Sequence, residues 1–336
     1  MINRRFVLAT RPSTLPEPED FAIETKDVPV PAQGQFLVRI RMIGLNPSLR
    51  LRLSGEQTFA EPVALGAVIE STAVGTVSQS RHPDFQPGDW VFGNFGWQDW
   101  AVSDGKGVGK IPAQWPRTAP LSILGSAGLT AYFGLLELGA PKPGETVLIS
   151  SAAGSVGSIA GQIAKLKGAT VIGIAGGQEK CRWLTEGLGF DAAIDRKSTE
   201  SLDAALGRLC PEGIDLLLDS VGNQVIDACL PRMRPFGRIV AIGQIGDYNT
   251  DPSRRHGLVN TQYIITSRLT IRGLGVYDFA PRFPEARRDL ERWLDDGALK
   301  WRDDIVEGFE TLPAAFIGLF TTGAMGRKIV RITPDD

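Results

Sequence analysis

The chain has 336 residues, with 36 Lys+Arg against 38 Asp+Glu, 39 Gly, 22 Pro, 3 Cys and 2 His, for a net charge of −2. That length suggests about two domains, each able to bury its own core, and 43% hydrophobic with 22% charged residues argues against wholesale disorder. The near-zero charge leaves no electrostatic footprint for nucleic acid or an anionic membrane, and no apolar run approaches the roughly 20 residues of a membrane span.

The start, Met1 to Thr10, is basic but meets Arg11-Pro12 before an apolar stretch of signal-peptide length, so a cytoplasmic protein is expected. Fourteen of the 22 prolines fall at or before Pro143. Proline breaks helices and is confined to sheet edges and turns, so the first part should be rich in strands and loops. Residues 35–42 alternate with period two, as a half-buried strand does. Residues 74–77 and 89–93 read as short strands joined by Pro-Gly turns such as Pro87-Gly88, and together these predict a small β-barrel or sandwich.

From about Leu121 the pattern changes. Residues 146–150 form an apolar run bounded by a Pro-Gly turn, as a buried parallel strand does. A helix is predicted over 155–167, and buried strands over 170–174, 214–219 and 237–243. Strands alternating with helices indicate βαβ units and a parallel sheet. Ala286, Leu290, Trp293 and Leu294 mark one face of an amphipathic helix. A short helix near 313–320 and a final strand over 327–332 complete the chain.

Ala152-Ala153-Gly154-Ser155-Val156-Gly157 lies directly after a strand and opens a helix. It fits G-x-G-x-x-G with alanine first. Small residues let the backbone turn tightly and approach a pyrophosphate, whose charge then sits on the helix N-terminus. An NAD enzyme would carry an acid at the end of the next strand, but this chain has Ala175-Gly176-Gly177, followed by Lys180 and, further on, Arg196. The missing carboxylate and the added cations favour NADP(H). Cys181, Cys210 and Cys229 are scattered without Cys-x-x-Cys spacing, and His82 and His256 are far apart. Neither a disulfide framework nor a zinc site is expected, so the metal assignment is none.

Over nearly its whole length the chain resembles the zinc-independent medium-chain dehydrogenases/reductases. Within them it is similar to the branch of prostaglandin reductases, alkenal double-bond reductases and curcumin reductases. The stretches that carry the likeness are Val91–Gln98, Gly128–Leu135, Ala152–Gly168, Gly176–Cys181 and Gly308–Glu310. The resemblance implies an α/β protein with a GroES-like β-rich substrate domain over 1–125, completed by 300–336. A doubly wound Rossmann domain over 126–299 would be inserted in it, with the active site in the cleft.

Carried over residue by residue, the pyrophosphate loop would be Ala153, Gly154, Ser155, Val156 and Gly157. Lys180 and Arg196 would hold the 2′-phosphate, with Arg196 where relatives often have tyrosine, and Gly177 would be a further cofactor-binding residue. Ser220, where asparagine is common, and Gly243 would lie along the cofactor, and Leu274, Gly275 and Val276 would line the nicotinamide. The implied reaction is NADPH-dependent reduction of a carbon–carbon double bond conjugated to a carbonyl, with Tyr248 facing the carbonyl oxygen. Asn46, Ser48, Phe95 and Trp97 are expected around a bulky enone, while Trp90 and Phe92 read as core.

Three positions depart from the family pattern. Ser48 replaces an aromatic, which should open the cleft. Ala324 replaces an asparagine expected to touch the cofactor, and Trp100 stands where tyrosine is common. The alternatives are an NADPH-dependent quinone oxidoreductase and, in another class, a non-catalytic NADPH-binding structural or sensor protein. A homodimer is implied, with residues 270–276 as an edge for pairing.

Overall fold

A computed structural model describes residues 1–55 and 60–333. In chain order the strands are β1 (Ile2–Leu8), β2 (Phe21–Asp27), β3 (Phe36–Gly44), β4 (Thr72–Ser80), β5 (Trp90–Asn94), β6 (Trp100–Ser103), β7 (Gly109–Lys110), β8 (Thr146–Ile149), β9 (Thr170–Ala175), β10 (Ala192–Asp195), β11 (Ile214–Asp219), β12 (Met233–Ala241), β13 (Thr270–Gly273), β14 (Asp303–Glu307) and β15 (Arg327–Arg331). The chain divides into two compact units, one of Met1–Ser122 with Asp303–Asp336, the other of Ile123–Arg302.

In the first unit a sheet runs β14-β15-β3-β4-β5-β7, with β6 also paired to β3, and β1 and β2 form a separate antiparallel hairpin. Isolated bridges Arg5–Gln98 and Val7–Val68 tie the hairpin to the rest. The returning strand β15 lies antiparallel to β3, with Val330 opposite Ile43. The core of this unit sets a group of aromatic rings within a larger aliphatic cluster. Trp97 has no exposed surface, stacks on Phe21 at 5.5 Å, and meets Phe316 at 5.8 Å and Phe6 at 6.1 Å edge to face.

Phe95 is also buried in this cluster. The two rings expected as walls of a substrate pocket are therefore core residues: their faces are spent on neighbouring apolar side chains, where burial of an aromatic ring contributes most. Trp90 and Phe92 pack partly buried against a second small cluster with Met42 and Val74.

The second unit is built on a six-stranded, all-parallel sheet in the order β10-β9-β8-β11-β12-β13. Successive residues along β8, β9 and β11 are buried. A sheet covered on both faces requires such runs. Leu148, Ile172, Leu217 and Ile239 meet the helices Leu202–Leu209 and Asn223–Cys229 in one apolar cluster. From β8 the chain winds outward through β9 to β10, then returns to β11 and winds the other way. The order therefore reverses between β8 and β11, and open α/β sheets bind ligands outside the strand ends at such a point.

Candidate active site

The site is assembled where the six strands of the parallel sheet end. The turn after β8 leads into a 12-residue helix, Ser155–Leu166. Its N-cap is Gly154, and no side chain caps the first turn, so the N-terminal N–H groups are left for a ligand. Ser151 enters the turn at φ +47°, and Gly154 N–H donates to Ser151 O at 2.8 Å. Gly157 needs its missing side chain, because a Cβ there would lie 2.7 Å from both Ala152 Cα and Ser151 O. The helix thus starts pressed against the turn, with Ala153, Gly154, Ser155 and Val156 along its opening. These residues fit a dinucleotide pyrophosphate: they supply donors and helix-end charge and add no bulk.

The end of β9 supplies the second part. Gly177 sits at φ +100° with open space where a Cβ would be, and Lys180 follows in the short helix Gln178–Arg182. Arg196 reaches across from the end of β10, its Nε 3.1 Å from where a Gly176 Cβ would stand. Gly177, expected to bind the cofactor, and Arg196, expected at its 2′-phosphate, therefore share one turn region, with Lys180 three residues beyond Gly177.

Asp195 was not among the expected residues. It lies in register with Ala175, and its Oδ1 accepts the N–H groups of Gly177 at 2.7 Å and Lys197 at 2.9 Å. Those donors, Gly177 first, hold the carboxyl below its ordinary range. The available signal was an acid ending the short apolar run Ala192-Ala193-Ile194.

At the switch point, Ser220 N–H donates to Ser150 Oγ at 2.8 Å, which ties the end of β11 to the end of β8. Asp219, just before, is fully buried. Its Oδ2 accepts Gly222 N–H at 2.7 Å, and its Oδ1 has no partner among the described residues.

Past β12, a Cβ at Gly243 would lie 3.4 Å from both Ser220 O and Tyr248 Oη, so the phenol stands over the ends of β11 and β12. Tyr248 Oη accepts Gln244 N–H at 3.3 Å. Burial raises the Tyr248 pKa, so the ring is a phenol rather than a phenolate at neutral pH. Gln244 Nε2 in turn donates to Asp247 Oδ2 at 2.7 Å, closing the loop that carries the tyrosine. Leu274, Gly275 and Val276 follow β13 directly, and Leu274 N–H donates to Ala241 O at 3.0 Å.

The candidates of the first unit are placed by its own packing. Asn46 Oδ1 accepts Ser48 N–H at 3.1 Å, and both are half-buried at the start of the short helix Leu49–Leu53. Ala324 packs on the apolar core of that unit. Among the described residues no group of three or more His, Cys, Asp or Glu side chains is placed to hold a metal ion.

Two family models match the chain: "N-terminal domain of oxidoreductase" over residues 4–111 and "Zinc-binding dehydrogenase" over residues 155–292. The chain is 40% identical to the NADPH-dependent curcumin reductase of Escherichia coli (strain K12) over 342 residues, covering 99% of this chain and 98% of that protein. It is 38% identical to prostaglandin reductase 1 of Bos taurus over 321 residues, covering 94% and 95%. The crystal structure of CurA in complex with NADPH from Vibrio vulnificus superposes with a TM-score of 0.93 at 38% identity, covering 99% of this chain and 100% of that one. The chain belongs to the zinc-independent medium-chain dehydrogenase/reductase family, in the branch of the curcumin and prostaglandin reductases.

Proposed function

We propose that this protein is an NADPH-dependent reductase of carbon–carbon double bonds conjugated to a ketone or aldehyde. Bound NADPH supplies the hydride, delivered to the β-carbon of the substrate, and the carbonyl becomes an enolate that takes a proton at the α-carbon. The residues proposed to hold the pyrophosphate are Ala153 to Gly157. Gly177, Lys180 and Arg196 are assigned to the 2′-phosphate, and Ser220, Gly243 and Leu274 to Val276 to the cofactor's length towards the nicotinamide.

The observation that carries the chemistry is the placement of Tyr248. Its oxygen is already an acceptor for Gln244 N–H at 3.3 Å, so its own hydrogen is directed elsewhere. A neutral phenol over the ends of β11 and β12 can donate to a developing oxyanion, which strengthens as the negative charge grows. The same hydroxyl can pass its proton on and be reprotonated from solvent. Asn46 and Ser48 are proposed as substrate-pocket residues.

The test is NADPH oxidation with a panel of enones against quinones, with the product weighed by mass spectrometry. Gain of two hydrogens at the alkene is the expected outcome. Turnover of quinones alone would overturn this reading, as would cofactor-dependent stabilisation without turnover of any acceptor. Tyr248→Phe is expected to lower turnover several-fold while NADPH affinity is retained, and unchanged turnover removes Tyr248 from the mechanism.

A homodimer is part of the proposal. β13 ends the sheet order, and all four of its residues are exposed, which leaves an edge suited to pairing with a second copy. A cytoplasmic location is also proposed: Cys181, Cys210 and Cys229 are all free thiols, as a reducing compartment maintains them.

A further inference from the structure

We propose that Asp195 is a positioning residue for the end of the cofactor that carries the 2′-phosphate, holding the Gly176-Gly177 turn in the shape that accepts it. This inference rests on the NADP(H) reading above. In NAD-type sites the acid at the end of the second strand takes the ribose hydroxyl. Here the second strand ends in Ala175-Gly176-Gly177, and the acid stands one strand further out, in register with Ala175. Its Oδ1 is engaged by two backbone donors, Gly177 N–H at 2.7 Å and Lys197 N–H at 2.9 Å. The acid is thus turned onto the backbone.

Hydrogen bonds to a carboxylate are stronger than neutral ones, so the Gly177 peptide is pinned at φ +100°, a conformation that glycine alone adopts cheaply. The same carboxylate ties down the turn that carries Arg196 and Lys197, and their side chains lie against Gly176, with Arg196 Nε and Lys197 Cε 3.1 and 3.4 Å from its absent Cβ. The side of Gly177 where a Cβ would point is open, with nothing within 4 Å. Asp195 therefore links the turn after β9 to the cations after β10. The Gly177 and Lys197 N–H donors also draw the carboxylate's charge inward, which limits repulsion of a phosphate on the open side.

Direct binding isolates this role from turnover. The probes are adenosine 2′,5′-bisphosphate and adenosine 5′-monophosphate, titrated calorimetrically into the native protein and into Asp195→Ala, Asp195→Glu and Asp195→Asn. Asparagine keeps an acceptor at the Oδ1 position, whereas glutamate keeps the charge but carries it one methylene too far. The expected result is a selective loss of the bisphosphate in the Ala and Glu variants, about tenfold, because the two charge-assisted hydrogen bonds from Gly177 and Lys197 are lost and only part of that loss reaches the ligand. The monophosphate should change less than about twofold, and Asn should restore most of the bisphosphate binding, because the two N–H groups keep an acceptor and lose only its charge.

Equal weakening of both probes in Asp195→Ala, no weakening of either, or failure of Asn to rescue overturns the proposal. If Asp195→Ala does not fold, the Glu and Asn pair carries the same test. A native protein that binds the two probes equally refutes the NADP(H) reading itself, and this inference with it.

Discussion

Asp219 stands at the switch point with no exposed surface, one oxygen on Gly222 N–H and the other without a partner among the described residues. Burial pushes its carboxyl up to about 6, against the opposing pull of the Ser150 hydroxyl and the Gly222 and Val221 N–H groups. An unfolded aspartate titrates near 3.9, so between about pH 4 and 6 the folded protein holds this proton more tightly than the unfolded chain. The contribution is fully present below about pH 4 and is lost as pH rises through 6. Roughly two pKa units correspond to about 3 kcal/mol.

Asp219→Asn keeps an acceptor for Gly222 N–H and removes the desolvated charge. Its stability relative to the native protein should improve between pH 4 and pH 7.5 by up to about 3 kcal/mol. For a unit of this size that is a relative gain of roughly 5–10 °C in the unfolding midpoint. Scanning calorimetry of the cofactor-free proteins across that pH range reads it directly. A difference between the two proteins that is the same at pH 4 and pH 7.5 would refute the assignment of a strained, buried carboxylate at this point.

Gly157→Ala sets a methyl 2.7 Å from backbone atoms that cannot rotate away; a loss of about 1–3 kcal/mol and weaker NADPH binding are expected in urea unfolding and fluorescence titration, and unaltered binding would show that the helix start can shift freely. Asp247→Ala releases the Gln244 side chain, held at 2.7 Å, and should lower turnover several-fold in the native background and not at all in Tyr248→Phe; additive losses would separate this pair from the tyrosine. Arg50 is buried, with Nη2 donating to Pro12 O at 3.1 Å and Thr14 O at 2.8 Å. Arg50→Leu leaves those carbonyls short of a donor, so urea unfolding should show a loss of about 2–4 kcal/mol, and a negligible loss would mean the Pro12–Thr14 segment is not anchored there.

What could be read in advance follows from burial. β8, β9 and β11 are covered on both faces, so their runs of Val, Leu and Ile announce them, and the helix at Ser155 is announced by the small residues before it. β10, Ala192-Ala193-Ile194-Asp195, has two alanines and an acid in place of such a run, and β13, exposed along its whole length, is legible only through the family likeness, as an edge within residues 270–276. The β1–β2 hairpin was also illegible, since its sequence mixes apolar residues with Arg4, Arg5 and Lys26 rather than alternating cleanly. Trp97 illustrates a different limit: aromatics flanking a glycine suit a pocket wall and a core equally, and only the packing of Phe6, Phe21 and Phe316 around the ring decides.

Cofactor selectivity is the property that three dimensions alter most. Along the sequence, preference for a phosphorylated ribose rests on an acid that is missing after the second strand. In space an acid is there, delivered by the third strand at the level of Ala175. What separates it from the acid of an NAD site is direction, because its Oδ1 faces Gly177 N–H and Lys197 N–H. A fingerprint that counts charges within one strand–turn–helix unit cannot see this, since the neighbour enters through sheet pairing 20 residues later. The selectivity of such a site is then a property of two adjacent turns together, one contributing open glycine backbone and the other contributing Arg196, Lys197 and the carboxylate that holds them in place.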